Sequence, residues 1–337
     1  MIGYYVHHVG RGHLRNALCI AAALDHEVTG LSSLPRPAAW RGGWIVLDRD
    51  DVGVPVRDPD VHGCLHWAPL HDDGLAARMA RIARWIDHAR PAALVVDVSV
   101  EVAAFARLMG VPVVLVALPG DRADAGHRLG HSLADALLAP WPAGLPGMDR
   151  DLQPWADRIH HVGGLSLFAD RPRPARPRDG GRRVVVLQGR GGTSVRETDV
   201  AAAAAATPSW QWRRLGPGAW SDDPWGALCA ADVVVTHAGL GALADVAAAG
   251  RPAVVVPEDR PHDEQRATAG ALDRAGLAVT LEHWPDAPRW PRLLDQALAV
   301  GGSGWRRWCT RDAALRAARV VDAAATLRQP ARPASCA

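Results

Sequence analysis

Three glycine-containing stretches hold the residues whose types and spacing could do chemistry. The first is His8-Val9-Gly10-Arg11-Gly12-His13, directly after the apolar run Ile2–Val6. Glycines there allow a sharp turn, and a helix is expected to begin near Leu14–Asn16. His13 then sits at the carboxyl end of a strand, where open α/β sheets place their ligands. The second is Gln188-Gly189-Arg190-Gly191-Gly192-Thr193-Ser194, after the run Arg183–Leu187. Its backbone N–H groups and two hydroxyls suit phosphate oxygens. It lacks the G-K-[ST] ending of a kinase-type phosphate loop, which disfavours ATP hydrolysis.

The third runs His237-Ala238-Gly239-Leu240-Gly241-Ala242-Leu243-Ala244-Asp245. It continues through Gly250–Pro257 to His262-Asp263-Glu264-Gln265. Strand, small-residue turn, helix and carboxylate follow in that order. A helix N-terminus there can face a diphosphate. Asp245, one to two turns in, can accept hydrogen bonds from a ribose diol.

The elements that position these stretches alternate. Ile2–Val6, Leu94–Asp97 and Val111–Ala117 read as buried strands, with helices expected over Asn16–Leu24 and Glu101–Met109. The pattern restarts with strands Arg183–Leu187, Asp232–Thr236 and Ala253–Pro257 and helices Gly241–Ala249 and Glu264–Ala275. A final helix is expected over Thr310–Thr326. Such alternation predicts parallel sheets covered by helices. The stretch Ala169–Arg183, ADRPRPARPRDGGRR, has no apolar period and reads as a linker. The expected domains are therefore 1–168 and 184–327, joined by 169–183. Arg78–Ala89 places Met79, Ile82 and Ile86 on one helical face. It reads as a helix packed on the sheet, with a basic, Trp85-bearing membrane-surface helix over 78–90 as the alternative.

Length and composition bound the rest. The 337 residues are 48% hydrophobic and 22% charged, enough for two packed domains. A formal net charge of +2 argues against a protein built to neutralise nucleic-acid phosphates. All of the basic residues are Arg, which together with abundant Ala, Gly and Pro suggests a high-GC, bacterial source. Cys19, Cys64, Cys229, Cys309 and Cys336 are scattered and odd in number, which disfavours a disulfide framework or structural zinc. The first residues enter a strand without a signal-peptide pattern, and no apolar run reaches the ~20 residues of a membrane span. A reducing cytoplasm is the expected setting, with the inner face of the membrane as the alternative.

His237 to Asp245 resembles the H-x-G-x-G-x-x-x-[ED] signature of GT-B glycosyltransferases. Gly250–Pro257 with Glu264-Gln265 is similar to their G-x-P-x-x-x-x-P…[DE]-Q pattern. The similarity covers most of 183–285. It points to two relatives, the UDP-glycosyltransferases of small molecules and the bacterial transferase that adds N-acetylglucosamine to a lipid-linked peptidoglycan precursor. In the first half it is thinner, resting on Gly10–His13, Val95-Val96-Asp97 and Gly110-Val111-Pro112.

The resemblance implies an α/β protein of two Rossmann-like domains facing across a cleft. It further implies an inverting, metal-independent glycosyl transfer from a nucleotide sugar, UDP-linked by preference, to a hydroxyl acceptor. His13 would be the base and Asp97 the acid that orients it. Gly10, Arg11 and Gly12 would form the acceptor-side loop. His237, Ala238, Gly239, Leu240 and Gly241 would meet the diphosphate, with Gly189, Arg190, Gly191, Gly192, Thr193 and Ser194 opposite. Trp220 and Ser221 would hold the base, Asp245 the ribose, and Glu264 and Gln265 the sugar.

Three positions depart from the pattern: Asp245 for Glu, Thr268 for Asn, and Ala238-Gly239 for Gly-Gly. Three D-x-D triplets, Asp48–Asp50, Asp58–Asp60 and Asp149–Asp151, lie in loop-like sequence and are discounted, so no metal ligand and no cofactor beyond the donor is expected. Loops 57–73 and 121–131 are expected to choose the acceptor, a specialised metabolite before a cell-wall lipid. The rival readings are a nucleotide-sugar epimerase or hydrolase and a non-catalytic subunit that activates a partner.

Overall fold

The computed structural model describes residues 1–10, 12–52, 56–175 and 180–327. The first half builds a seven-stranded parallel sheet from β1 (Ile2–Val6), β2 (Val28–Ser32), β3 (Trp44–Val46), β4 (Ala93–Asp97), β5 (Val113–Val116), β6 (Ala136–Ala139) and β7 (Ile159–His161). The strand order is β3-β2-β1-β4-β5-β6-β7. Its central strands are continuous apolar runs because helices cover both faces. Those of this half are α1 (Gly12–Ala23), α2 (Asp73–Ala89), α3 (Val100–Leu108) and α4 (Ala125–Leu133). Asp72, Ser99 and Asp124 cap α2, α3 and α4, each accepting from an N–H three residues on.

The second half forms a five-stranded parallel sheet, ordered β12-β11-β10-β8-β9. Its strands are β8 (Arg182–Leu187), β9 (Trp210–Leu215), β10 (Val233–Thr236), β11 (Ala253–Val255) and β12 (Val279–Thr280). Around it lie α5 (Glu197–Ala206), α6 (Trp225–Ala230), α7 (Leu240–Ala249), α8 (Glu264–Arg274) and α9 (Trp290–Val300). The last helix, α10 (Ala313–Thr326), crosses back. Its Ala317, Val320 and Val321 share a core with Ile2, Tyr4, Val95 and Val114 of the first sheet. The sequence-based domain 184–327 is corrected accordingly, since the apolar stripe of α10 is buried on the first half. The linker is also narrower than expected, because Arg173 donates to the Ala248 carbonyl and Trp225 Nε1 to that of Pro172. Residues 176–179 of it lie outside the described residues.

The strand orders reverse direction between β1 and β4 in one sheet and between β8 and β10 in the other. Crevices open at the carboxyl ends of strands at such switch points. The glycine stretches after β1, β8 and β10 lie there. Helix α2 resolves the reading of 78–90: Ile82, Trp85 and Ile86 are buried against the sheet, and Arg78 is 2% exposed. Arg78 donates to Tyr5 Oη, Ser33 Oγ and the Asp48 carbonyl and pairs with Asp50. Trp85 is thus turned inward, and the large apolar side chains of this helix face the sheet. Among the described residues no helix is long and apolar enough to cross a membrane.

Candidate active site

Register brings the first pair together. Val6 at the end of β1 lies beside Asp97 at the end of β4. His13, in the first turn of α1, then meets Asp97, with Nδ1 2.8 Å from Oδ1. Asn16 Nδ2 donates to the other oxygen at 3.5 Å. Asp97 is fully buried, whereas the His13 side chain is 20% exposed. Nδ1 is engaged by the carboxyl, so Nε2 is the nitrogen left for substrate. Burial opposes a charge on His13, but the Asp97 charge and hydrogen bond outweigh it and hold the imidazole above its ordinary value. Val98, next after Asp97, has φ +80°, a conformation β-branched residues rarely adopt. His7 packs edge-on to His13 at 5.8 Å. Burial, and then the neighbouring His13, push His7 down to about 3, so it remains neutral.

One side chain away, across His7, a cavity of about 270 Å³ is lined by Tyr5, His7, His8, Trp67, Met79 and Val102, among others. Arg78, Asp50 and Glu101 supply its polar wall. Glu101 is fixed by accepting from the backbone N–H of His66 and Trp67, which ties loop 57–73 to α3. Gly10 has φ +85° and Gly12 opens α1; Arg11 lies outside the described residues.

Across the cleft, His237 Nδ1 accepts from the Gly239 N–H at 3.0 Å, which assigns the ring proton to Nε2. Burial lowers His237 to about 4, so it is a neutral donor. Gly189 makes room for it: a Cβ there would lie 2.7 Å from His237 Nε2. Gln265 is 4% exposed, and its Oε1 accepts from the N–H groups of Ala238 and Glu258. It therefore pins two loops together, and its side chain also hydrogen-bonds the His237 ring. Thr193 Oγ1 donates to Glu258 Oε1 at 2.6 Å, and the Ser194 N–H donates to Oε2 at 2.8 Å. The expected phosphate cradle thus holds an internal carboxylate. Sequence reasoning missed Glu258, whose only signal was its place directly after the β11 segment. Arg190 stacks over Trp220 at 4.6 Å, and Trp220 is 40% exposed. Ser221 lies beside it, outside any helix or strand.

Two further ion pairs join the halves. Asp245, 1% exposed on α7, is held by Arg15 of α1 at 2.5 and 2.6 Å and by Ser166 Oγ at 2.8 Å. Burial pushes its carboxyl up, and Arg15 and Ser166 oppose that shift. A ribose could reach this carboxylate only by replacing Arg15. Sequence reasoning had no signal for Arg15, which lies 230 residues away. Glu264, at the start of α8, is 3.7 Å from Arg122 of the first half. Burial holds its carboxyl above the usual range, with Arg122 and His13 opposing. Gly120 has φ +103° and packs on the backbone of His262 and Glu264, where a side chain would collide.

The two sheets thus bring a His–carboxyl dyad, a small cavity, a helix N-terminus and a neutral donating histidine to one cleft. Residues 220–288 match the glycosyltransferase family 28 C-terminal domain. The chain is 28% identical over 321 residues to the UDP-N-acetylglucosamine--N-acetylmuramyl-(pentapeptide) pyrophosphoryl-undecaprenol N-acetylglucosamine transferase of Sorangium cellulosum, covering 79% of this chain and 76% of that one. Among solved structures, the glycotransferase of kitacinnamycin aligns with a TM-score of 0.65 at 18% identity, over 97% of both chains. MurG of Acinetobacter baumannii aligns at 0.63 and 15%, over 96% of this chain and 99% of that one. Phytolacca americana UGT2, complexed with UDP-2-fluoro-glucose and pterostilbene, aligns at 0.66 and 14%, over 97% and 99%. These likenesses give the fold as GT-B, and the homologues and structural neighbours are glycosyltransferases.

Proposed function

We propose that this GT-B glycosyltransferase, related to UDP-sugar transferases, moves a sugar from a UDP-sugar to a hydroxyl of a small apolar acceptor, with inversion and without a catalytic metal. The observation that carries the reading is the dyad: a buried carboxyl fixes one ring nitrogen of His13 and leaves the other to take a proton, and His7, which packs on His13, lines a cavity. His13 Nε2 takes the acceptor proton as the acceptor oxygen forms its bond to the anomeric carbon. The bond from that carbon to the diphosphate oxygen breaks, and UDP departs. Asp97 holds the tautomer and stabilises the imidazolium.

The growing charge on the diphosphate meets the His237 Nε2–H and the N-terminus of α7. Gly189–Ser194 would close over it once Glu258 gives way. Trp220 and Ser221 would hold the base, Asp245 the ribose, and Glu264 with Gln265 the sugar. A cavity of about 270 Å³ bounded by Trp67, Met79 and Val102 suits a compact metabolite better than a polyprenyl chain. Its place one side chain from His13, across His7, favours transfer over donor hydrolysis or epimerisation, neither of which needs an acceptor. The test is product analysis with UDP-sugars, alone and with a panel of phenolic and alicyclic alcohols. Acceptor-dependent UDP release with an inverted glycoside supports the proposal. Free sugar or an epimer from donor alone overturns it.

A further inference from the structure

We propose that His66, Asp124, His127 and His262 form a divalent transition-metal site, with Zn²⁺ as the fitting ion, that joins the two halves at the edge of the cleft. His66 comes from the loop before α2, Asp124 and His127 from the start of α4, and His262 from the turn Pro261–Asp263 before α8. His66 Nε2 lies 2.9 Å from Asp124 Oδ1, His127 Nδ1 2.5 Å from Oδ2, and His262 Nδ1 3.9 Å from Oδ2. The donor atoms of His66, Asp124 and His127 all lie within 4.8 Å of one another. Metal–ligand bonds near 2.0–2.1 Å in a tetrahedron require donor separations of ~3.3 Å, so His66 and His127, now hydrogen-bonded to opposite oxygens of Asp124, draw back slightly to admit an ion. His262 lies outside that 4.8 Å group and would have to swing in to complete a site of three imidazoles and one carboxylate, a donor set suited to Zn²⁺.

Other features favour this cluster. All of the ion pairs described for Asp124 are to imidazoles. In the other His/Asp group, His8, Asp50 and Asp51, the carboxylates are taken by Arg78 and Arg49. Asp124 Oδ1 caps α4 by accepting from the His127 N–H, which leaves Oδ2 to ligate without undoing the helix. His262 has φ +61°, and its carbonyl accepts from the Asp121 N–H at 2.7 Å. The first half thereby holds that turn beside Asp124. The His66, His262 and Asp124 side chains are each about a third exposed, which gives the ion a way in.

Ligation has a local consequence. His127 Nε2 now lies 3.0 Å from Arg122 Nη1, in a geometry where it accepts. A metal on Nδ1 moves the ring proton to Nε2, and Arg122 must turn away. Glu264, 3.7 Å from the same guanidinium, is the carboxylate it can turn to. The metal therefore both links the halves and strengthens Arg122–Glu264.

The full-length protein, stripped with chelator, is titrated with ZnCl₂ by calorimetry and with CoCl₂ by visible absorption. One ion per chain is expected, with the intense d–d bands of a tetrahedral Co²⁺ site. His66→Ala and Asp124→Asn should each weaken Zn²⁺ at least ten-fold and abolish those bands; Asn keeps the helix cap, so folding is preserved. His262→Ala should weaken Zn²⁺ less. His26→Ala, on the outer surface, should change nothing. Absence of saturable binding, or binding unchanged in His66→Ala and Asp124→Asn, overturns the site and assigns any uptake to exposed histidines. The readout is binding, so its failure is distinguishable from failure of the transfer chemistry.

Discussion

Replacing Asp97 by Asn changes one atom of the dyad and keeps its volume. The carboxyl is fully buried and 2.8 Å from His13 Nδ1, so water cannot take its place. A hydrogen bond to a charged partner contributes roughly 1.5–3 kcal/mol, so its loss alone slows transfer about 10- to 150-fold. An amide NH₂ turned towards Nδ1 would also favour the wrong tautomer. The total should therefore approach the ~10²–10⁴ that a general base contributes, which is the loss expected for His13→Ala. The pH profile separates orientation from mere structure. His13 acts only when neutral, and Asp97 holds it above its ordinary value of 6.5. In the wild type kcat/KM should fall on the acid side with a midpoint above 6.5. Without the Asp97 charge, burial prevails and the midpoint moves to lower pH. The same sign governs stability: the His13–Asp97 contribution is full below the unfolded-state value and lost as pH rises through the raised one. Steady-state rates between pH 5 and 9 for wild type, His13→Ala and Asp97→Asn decide the matter. An unshifted acid limb in Asp97→Asn, or wild-type turnover by His13→Ala, refutes the dyad and makes His8 the next candidate base.

Calorimetry should show UDP binding about ten-fold or more tightly than dTDP, if the ribose 2′-hydroxyl takes the place of Arg15 on Asp245. Asp245→Ala should erase that preference, and equal affinities in the wild type would sink the ribose role. Arg15→Ala should lower thermal stability, by about 3 kcal/mol as the low end for breaking a buried pair, since Arg15 is 28% exposed; an unchanged melting curve would show the pair to be inert. Gly189→Ala should fold normally yet weaken UDP about ten-fold, because its Cβ meets His237 Nε2; unaltered affinity would remove His237 from the diphosphate site. EDTA should not abolish transfer, and complete loss restored by Mg²⁺ or Mn²⁺ would contradict departure assisted by His237 and α7.

Local sequence determined the elements and the glycine turns. Central parallel strands are buried on both faces, so Tyr4-Tyr5-Val6, Val95-Val96 and Val233–Val235 had to be continuous apolar runs. The motif from His237 to Asp245 was equally legible, because strand, turn and helix follow one another along the chain. Edge strands were not: β3 and β12, with three and two residues, have too little buried surface to leave a pattern. Pairings across the chain were decided only by tertiary structure. The seat of α10 on the first sheet depends on an apolar stripe whose partner no local period names. His13 and Asp97 are 84 residues apart and meet because β1 and β4 are neighbours in register. Arg15 reaches Asp245 only because α1 of one half abuts α7 of the other. Glu258 enters the glycine loop because β8 and β11 both end at the same crevice. The sequence showed which groups could bind, whereas the packing of the two sheets decided which of them already hold one another.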